Sequence, residues 1–404
     1  MSTVDPDQHE LAAPEGDPTP STRPTQSSAR DRRRRKELVR YALVGTLILL
    51  MVVGFDVRRN GGNNPVSLAQ PGTHGPAAAV FHQDFPDLEL PDGDGLDGQM
   101  YYAIARDPIH LDQTAKQLDR PRYRFQRPLL SWLTWALHPT GGGVGLVLAM
   151  AAIGAGAVFL LAYAGGALSR ALGGPTWVAA LLPLAPGVYW SMRVSVSDGL
   201  ALALALAAIA LSARNRTVAA VVLGALAVLA KEPAILLLLG WGIWRRDREG
   251  AALVAIPGAV IVAWMGWLHL ALPADPAGPS DLGLPFVGTI HAWQHIWSSG
   301  HELVGMACTI GGLVLGITAL VVRRLRHPLG WAIAVQLAFL ACLGSNPAGA
   351  NFGSTRMAMP IMVLAVIALV TPRGAEQSIR LPWHRVSAPD ASSEPESTPL
   401  PATA

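Results

Sequence analysis

One stretch of the chain sets carboxylates and aromatic rings in close order: Asp92-Gly-Asp94-Gly-Leu-Asp97-Gly-Gln99-Met-Tyr101-Tyr102-Ala-Ile-Ala-Arg106-Asp107-Pro108. A carboxylate on glycine-rich backbone, within hydrogen-bond reach of a hydroxyl, can take its proton as a new bond forms. Asp97 is the candidate base and Asp94 its alternate; Gln99, Tyr101, Tyr102 and Arg106 beside them suit a sugar-binding platform. Asp97 also reads as the N-cap of a helix opening at Gly98, and one residue can serve both ways. Asp92 and Asp94 as ligands of a divalent cation miss the calcium-loop pattern, because Leu96 occupies the third ligand position. No cofactor or metal is read from the sequence.

Basic groups follow. Arg120-Pro-Arg122-Tyr-Arg124-Phe-Gln-Arg127-Pro128 offers guanidinium forks that suit phosphate, or that pair with anionic lipid beside a membrane. Lys231 and Glu232 interrupt two long apolar runs. Ionisable groups so placed face a cavity or a partner, or they pair with each other at a turn where Pro233 opens the next helix. Asp198, after Ser195-Val-Ser197, reads as a site carboxylate or an N-cap. Arg356, ahead of Met-Ala-Met-Pro360, reads as a phosphate ligand or as an arginine snorkelling to lipid head groups. His291 and His295 have a spacing that permits metal binding, but no Glu follows the first; a Trp-bearing interfacial helix explains them better. No phosphate-binding glycine loop, nucleophile elbow or CxxC is present.

The elements that must hold these residues are apolar. Of 404 residues 51% are hydrophobic and only 15% charged, against about 25% charged in soluble domains. A net charge of +3, with basic residues gathered at loop ends, argues against nucleic acid. Cys308 and Cys342 fall inside apolar runs, so no disulfide framework is implied. The first apolar run, near Val39, lacks a cleavage site and reads as a retained anchor.

The pattern predicts an all-α, polytopic membrane protein with about ten spans. They fall near 39–56, 142–168, 175–190, 198–213, 217–230, 233–246, 251–272, 303–322, 329–344 and 357–370. Residues 1–36 and 373–404 are expected to be disordered tails, the first of them basic, flanking a membrane domain over 37–372. Lys and Arg counting places both termini in the cytoplasm and segment 57–127 outside as a long first loop. Under that parity Pro128–His138, with Trp132 and Trp135, is an interfacial or re-entrant helix rather than a span.

An Asp-Gly-Gln-x-Tyr-Tyr-x-Ile-Ala-Arg-Asp-Pro run after the first span, then Tyr-Arg-x-x-Arg-Pro-Leu-Leu, resembles the multi-spanning C-class (GT-C) glycosyltransferases. Within them it is most similar to the branch that builds bacterial cell-surface glycopolymers. The likeness covers roughly residues 39–370, and the Lys231-Glu232 break and the Arg356–Pro360 element share in it. The resemblance implies use of polyprenyl-phosphate sugars outside the cytoplasm, with Asp97 as catalytic carboxylate and Asp94 as alternate. Arg127, Lys231 and Arg356 would then meet the lipid phosphate. Two departures stand out: three aspartates compete for one role, and several spans are short and rich in Ala and Gly.

The expected partners are therefore a lipid-linked sugar donor, membrane lipids and an extracytoplasmic glycan, lipid or protein acceptor. A non-enzymatic protein that binds or flips lipid-linked glycans is the alternative. A small-solute transporter fits less well. Its ionisable groups would lie deeper and on alternating sides, and paired broken helices from an internal duplication would be visible.

Overall fold

Backbone amides and carbonyls in an apolar setting must be satisfied within their own segment, and the long Ala, Leu and Val runs meet that demand as helices. The computed structural model describes residues 26–276, 281–300, 302–374 and 379. Among the described residues the chain is all-helical, apart from one isolated bridge between Leu282 and Leu343. The order begins with α1 (Gln26–Asn60), α2 (Ala78–Asp84), α3 (Asp97–Arg106), α4 (Leu111–Ala115), α5 (Pro121–Phe125) and α6 (Leu129–Leu137). It continues with α7 (Val144–Ala171), α8 (Val178–Leu181), α9 (Pro186–Arg193), α10 (Asp198–Ser212), α11 (Thr217–Ala230) and α12 (Ala234–Arg245). The last are α13 (Arg248–Ala271), α14 (Val287–His295), α15 (Leu303–Arg323), α16 (Gly330–Ala341), α17 (Ser345–Gly349) and α18 (Asn351–Val370).

The chain divides into two units, residues 1–37 and 38–404. In the first, residues 26–36 are helical where a disordered tail was expected, and Arg33 pairs with Glu37 one turn on. The remainder of that tail, and most of the tail expected at 373–404, lies outside the described residues. The cavity and ionic groups discussed below belong to the second unit.

Five helices are long and apolar enough to cross a membrane: Arg32–Asn60 of α1, then α7, α13, α15 and α18. Exposed apolar side chains such as Leu148 on α7, Val262 on α13 and Val314 on α15 give them faces that water would not tolerate as a continuous belt. Helices α10, α11, α12 and α16 are apolar but shorter. The 12 residues of α12 rise only about 18 Å, against a hydrocarbon core of about 30 Å. Three of these short helices share a terminus: α10 begins at Asp198, α11 ends at Ala230 and α12 begins at Ala234, all beside one group of charges.

The run at 175–190, expected as one span, is broken. Helix α8 stops at Leu181, a tight turn spans Leu182–Leu184, Ala185 is extended, and α9 restarts at Pro186. Pro183 and Pro186 each remove an amide donor, so a continuous ladder cannot pass through them. Helix α10, apolar all round, is buried along nearly its whole length against α7, α9, α11 and α12. Close approach elsewhere relies on small residues: a Cβ at Gly240 of α12 would collide with the Ala332 backbone of α16.

At the end of α12 away from its start, Arg245 is fully buried and braces the turn between α10 and α11. It donates to Asp247 (2.8 Å), Asn215 (2.9 Å), the Ser212 hydroxyl (3.0 Å) and Glu249. At this same end His327 is buried between α15 and α16. Its Nδ1 accepts the Leu329 N–H at 3.1 Å, so its proton sits on Nε2 and is donated to Thr371 Oγ1 at 2.9 Å. Burial, reinforced by Arg323, pulls the imidazole down from 6.5 to about 4. Between those values the unfolded chain binds the proton and the folded chain does not, so stability falls as pH drops through that window. The loss saturates near 3 kcal/mol. Thermal midpoints in detergent should therefore decline from pH 7 to pH 4.5, and His327→Gln should flatten part of that decline. An unchanged slope in the variant would show that the ring is not held neutral.

Candidate functional site

Helix α3 opens at Asp97 with Leu96 extended before it, and the Asp97 carboxylate makes no capping bond. Instead Arg124 donates to it from Nη1 at 2.7 Å, and an Nη of Arg356 lies 3.2 Å from its other oxygen. Asp198 repeats the arrangement at the start of α10: it caps nothing, takes the ammonium of Lys231, and accepts from Arg356 at 3.0 Å. The cap readings of both aspartates are thereby overturned. Each sits at a helix N-terminus whose dipole favours a carboxylate, but their partners come from distant segments. Nor do Lys231 and Glu232 satisfy one another. Lys231 is extended (φ −160°, ψ 128°), which turns successive side chains apart, and Glu232 takes Arg127 at 2.9 Å.

The result is an alternating chain of charge running Asp119–Arg124–Asp97–Arg356–Asp198–Lys231, with Arg127–Glu232 alongside. Four cations face four carboxylates, so none is left over. Arg120, on the same cavity wall, stands outside this network and lies over the Tyr123 ring, 4.1 Å from its centre. Burial alone would raise the Asp97 carboxyl, but the Arg356 and Arg124 guanidiniums outweigh it and hold the group well below the usual carboxylate range. Arg356 is fixed further by its Nε bond to the Phe352 carbonyl (2.9 Å) and by lying over the Phe352 ring, 3.5 Å from its centre.

A cavity of about 850 Å³ opens onto this group. Its polar wall includes Asp97, Arg124, Arg127, Lys231, Glu232 and Arg356; its apolar wall includes Met100, Trp190, Met265, Phe339, Leu343 and Met357. That volume suits a substrate-sized ligand. Behind Lys231 and Arg356 a slot of about 40 Å³ reaches Gln336 of α16, whose buried amide has no partner among the described residues. The slot has room for roughly two waters.

The other sequence candidates are placed as follows. Asp94 lines the cavity, and its carboxylate makes no ion pair among the described residues. Gln99 is buried and clamps the glycine loop, donating to the Asp94 carbonyl at 2.6 Å and accepting from Gly72. Tyr101 and Tyr102 are both buried, so they form no open platform. Tyr101 shares a hydrogen bond of 2.7 Å with Ser197, and burial pushes its phenol up to about 12, so it stays protonated. Tyr102 and Arg106 lie on another face of α3, roughly 140° and 180° round from Asp97. Both bind Asp84, at 2.7 and 2.9 Å, and the structure does not bring them to the cavity. Among the described residues no group of three or more His, Cys, Asp or Glu gathers as metal ligands.

Sequence reasoning missed Asp119, Phe352 and Gln336. Only Gln336 carried a local signal, as a lone amide inside an apolar run. Asp97 itself depends on a glycine. A Cβ at Gly98 would collide with the carbonyl oxygens of Val194 and Ala69, so α3 can seat there only without a side chain. Gly98→Ala is expected to destabilise the protein by about 1–3 kcal/mol as an overpacked contact. A melting point equal to wild type would show that the contact yields.

No family model, curated protein or solved structure matches the chain.

Proposed function

We propose that the chain is a polytopic GT-C-like membrane glycosyltransferase that moves a sugar from a polyprenyl-phosphate carrier onto a hydroxyl of an extracytoplasmic glycan, lipid or protein. One observation carries the reading: a carboxylate and phosphate-competent guanidiniums meet in a single cavity whose other wall is apolar. A lipid-linked phosphate sugar asks for all three features. The acceptor hydroxyl would give its proton to Asp97 as its oxygen bonds the anomeric carbon. The bond from that carbon to the phosphate oxygen breaks, and the phosphate leaves with the electron pair. Cations stabilise that leaving group, which needs no proton.

The topology supports the same reading. Arg170; Arg214 and Arg216; Arg245, Arg246 and Arg248; and Arg323, Arg324 and Arg326 all belong to the end away from the cavity. Under the positive-inside rule that end is cytoplasmic, with both chain termini, and the cavity faces outward in a cell membrane. Four short helices and the broken α8–α9 segment complete a pattern of about ten crossings.

The test is transfer of labelled sugar from a panel of polyprenyl-phosphate donors by the purified protein. Transfer to added acceptor supports the proposal. No transfer from any donor, together with movement of a lipid-linked glycan across proteoliposomes, assigns the chain to the non-enzymatic class instead.

A further inference from the structure

We infer that Arg124 and Arg356 form the anion subsite, and that a phosphate entering it displaces the Asp97 carboxylate rather than joining it. The inference rests on the lipid-phosphate reading above and deepens it. The two guanidiniums grip opposite oxygens of one carboxylate, Arg124 on Oδ1 and Arg356 on Oδ2. A phosphate offers two oxygens in much the same disposition, and guanidinium forks match it.

Each arginine also has a second carboxylate: Asp119 holds Arg124 through two bonds of 2.7 Å, and Asp198 holds Arg356 at 3.0 Å. Both can release Asp97 without losing their anchor. Arg127 and Lys231 differ. Arg127 is engaged by Glu232, and Lys231 by the buried Asp198. A phosphate at either would compete for the one carboxylate that each of these cations pairs with among the described residues, leaving it no second anchor. Asp97 lies between two cations that each keep a second carboxylate, and it opens to the cavity with a side chain 23% exposed, against 4% for Asp198.

The groups facing Asp97 are Arg124 from α5 and Arg356 from α18, with Arg127 and Tyr101 nearby and Asp119 and Asp198 behind the arginines. While both arginines hold it, Asp97 is a weak base. Their transfer to phosphate releases it to accept the acceptor's proton. The donor therefore binds before the acceptor is activated, and the site cannot deprotonate an acceptor with no sugar to transfer.

Equilibrium binding of a labelled short-chain polyprenyl phosphate to the full-length protein in detergent tests this without turnover, with inorganic phosphate as a second probe. Asp97→Asn should bind polyprenyl phosphate at least tenfold more tightly than wild type. Arg124→Lys, which keeps the charge but loses the fork, should bind at least tenfold more weakly. Tightening with both probes assigns recognition to the phosphate alone, and tightening with the lipid alone adds the chain as a required part; both support the subsite. Unchanged or weaker binding in Asp97→Asn, or an unaffected Arg124→Lys, overturns it. Sugar transfer by wild type with no tightening in Asp97→Asn would refute the subsite and leave the glycosyltransferase standing. Tightening with no transfer from any donor would do the reverse.

Discussion

In Asp97→Asn, sugar transfer falls by about 10²–10⁴-fold, the range expected when a positioned general base is removed. Asparagine matches the size of aspartate and can still accept a hydrogen bond from Arg124 or Arg356, but it cannot carry away the acceptor's proton. The loss should therefore appear in turnover, with donor affinity improved. That division separates a chemical role from a structural one. Had Asp97 served as a helix cap, asparagine would replace it well and transfer would be little changed. The measurement is the initial rate of transfer at saturating donor, alongside a melting curve. A folded variant with wild-type turnover removes Asp97 from the mechanism.

Arg356→Gln has the largest expected effect on stability. Its guanidinium is the one cation shared by the two aspartates, 3.2 Å from Asp97 and 3.0 Å from Asp198. It is buried, and its removal leaves four carboxylates facing three cations in the network. Breaking a buried ion pair in this way costs about 3–5 kcal/mol. The double variant Arg356→Gln, Asp198→Asn should recover part of the loss, because it restores an equal number of cations and carboxylates in the network. Thermal unfolding of the three proteins in the same detergent decides the matter. A single variant as stable as wild type would mean that Arg356 does not bridge the two carboxylates.

Much of the scaffold was legible in the sequence, since hydrophobic length and punctuation by Arg, Pro and Gly are local signals. Where spans were expected at 198–213, 217–230 and 303–322, helices stand at Asp198–Ser212, Thr217–Ala230 and Leu303–Arg323, of which the last is long enough to cross a membrane. The short helix after Pro128 was also foreseen, as α6. The break within 175–190 was written there too, in Pro183 and Pro186, but hydropathy outweighed it in the reading.

The amino-acid sequence by itself determined that the chain is helical, that its helices are apolar, and which charged residues interrupt them. Residue type and spacing within a few turns decide those properties. The tertiary structure alone decided whom those charges meet. Arg127 finds Glu232 at a separation of 105 positions, and Arg356 finds Asp198 at 158. An aspartate opening a helix looks like a cap until a distant guanidinium is brought against it. Tyr102 and Arg106, close to Asp97 in sequence, are turned away by the 3.6-residue period of the same helix. The site exists because helix termini from both halves of the chain converge on one cavity, and no local pattern records that convergence.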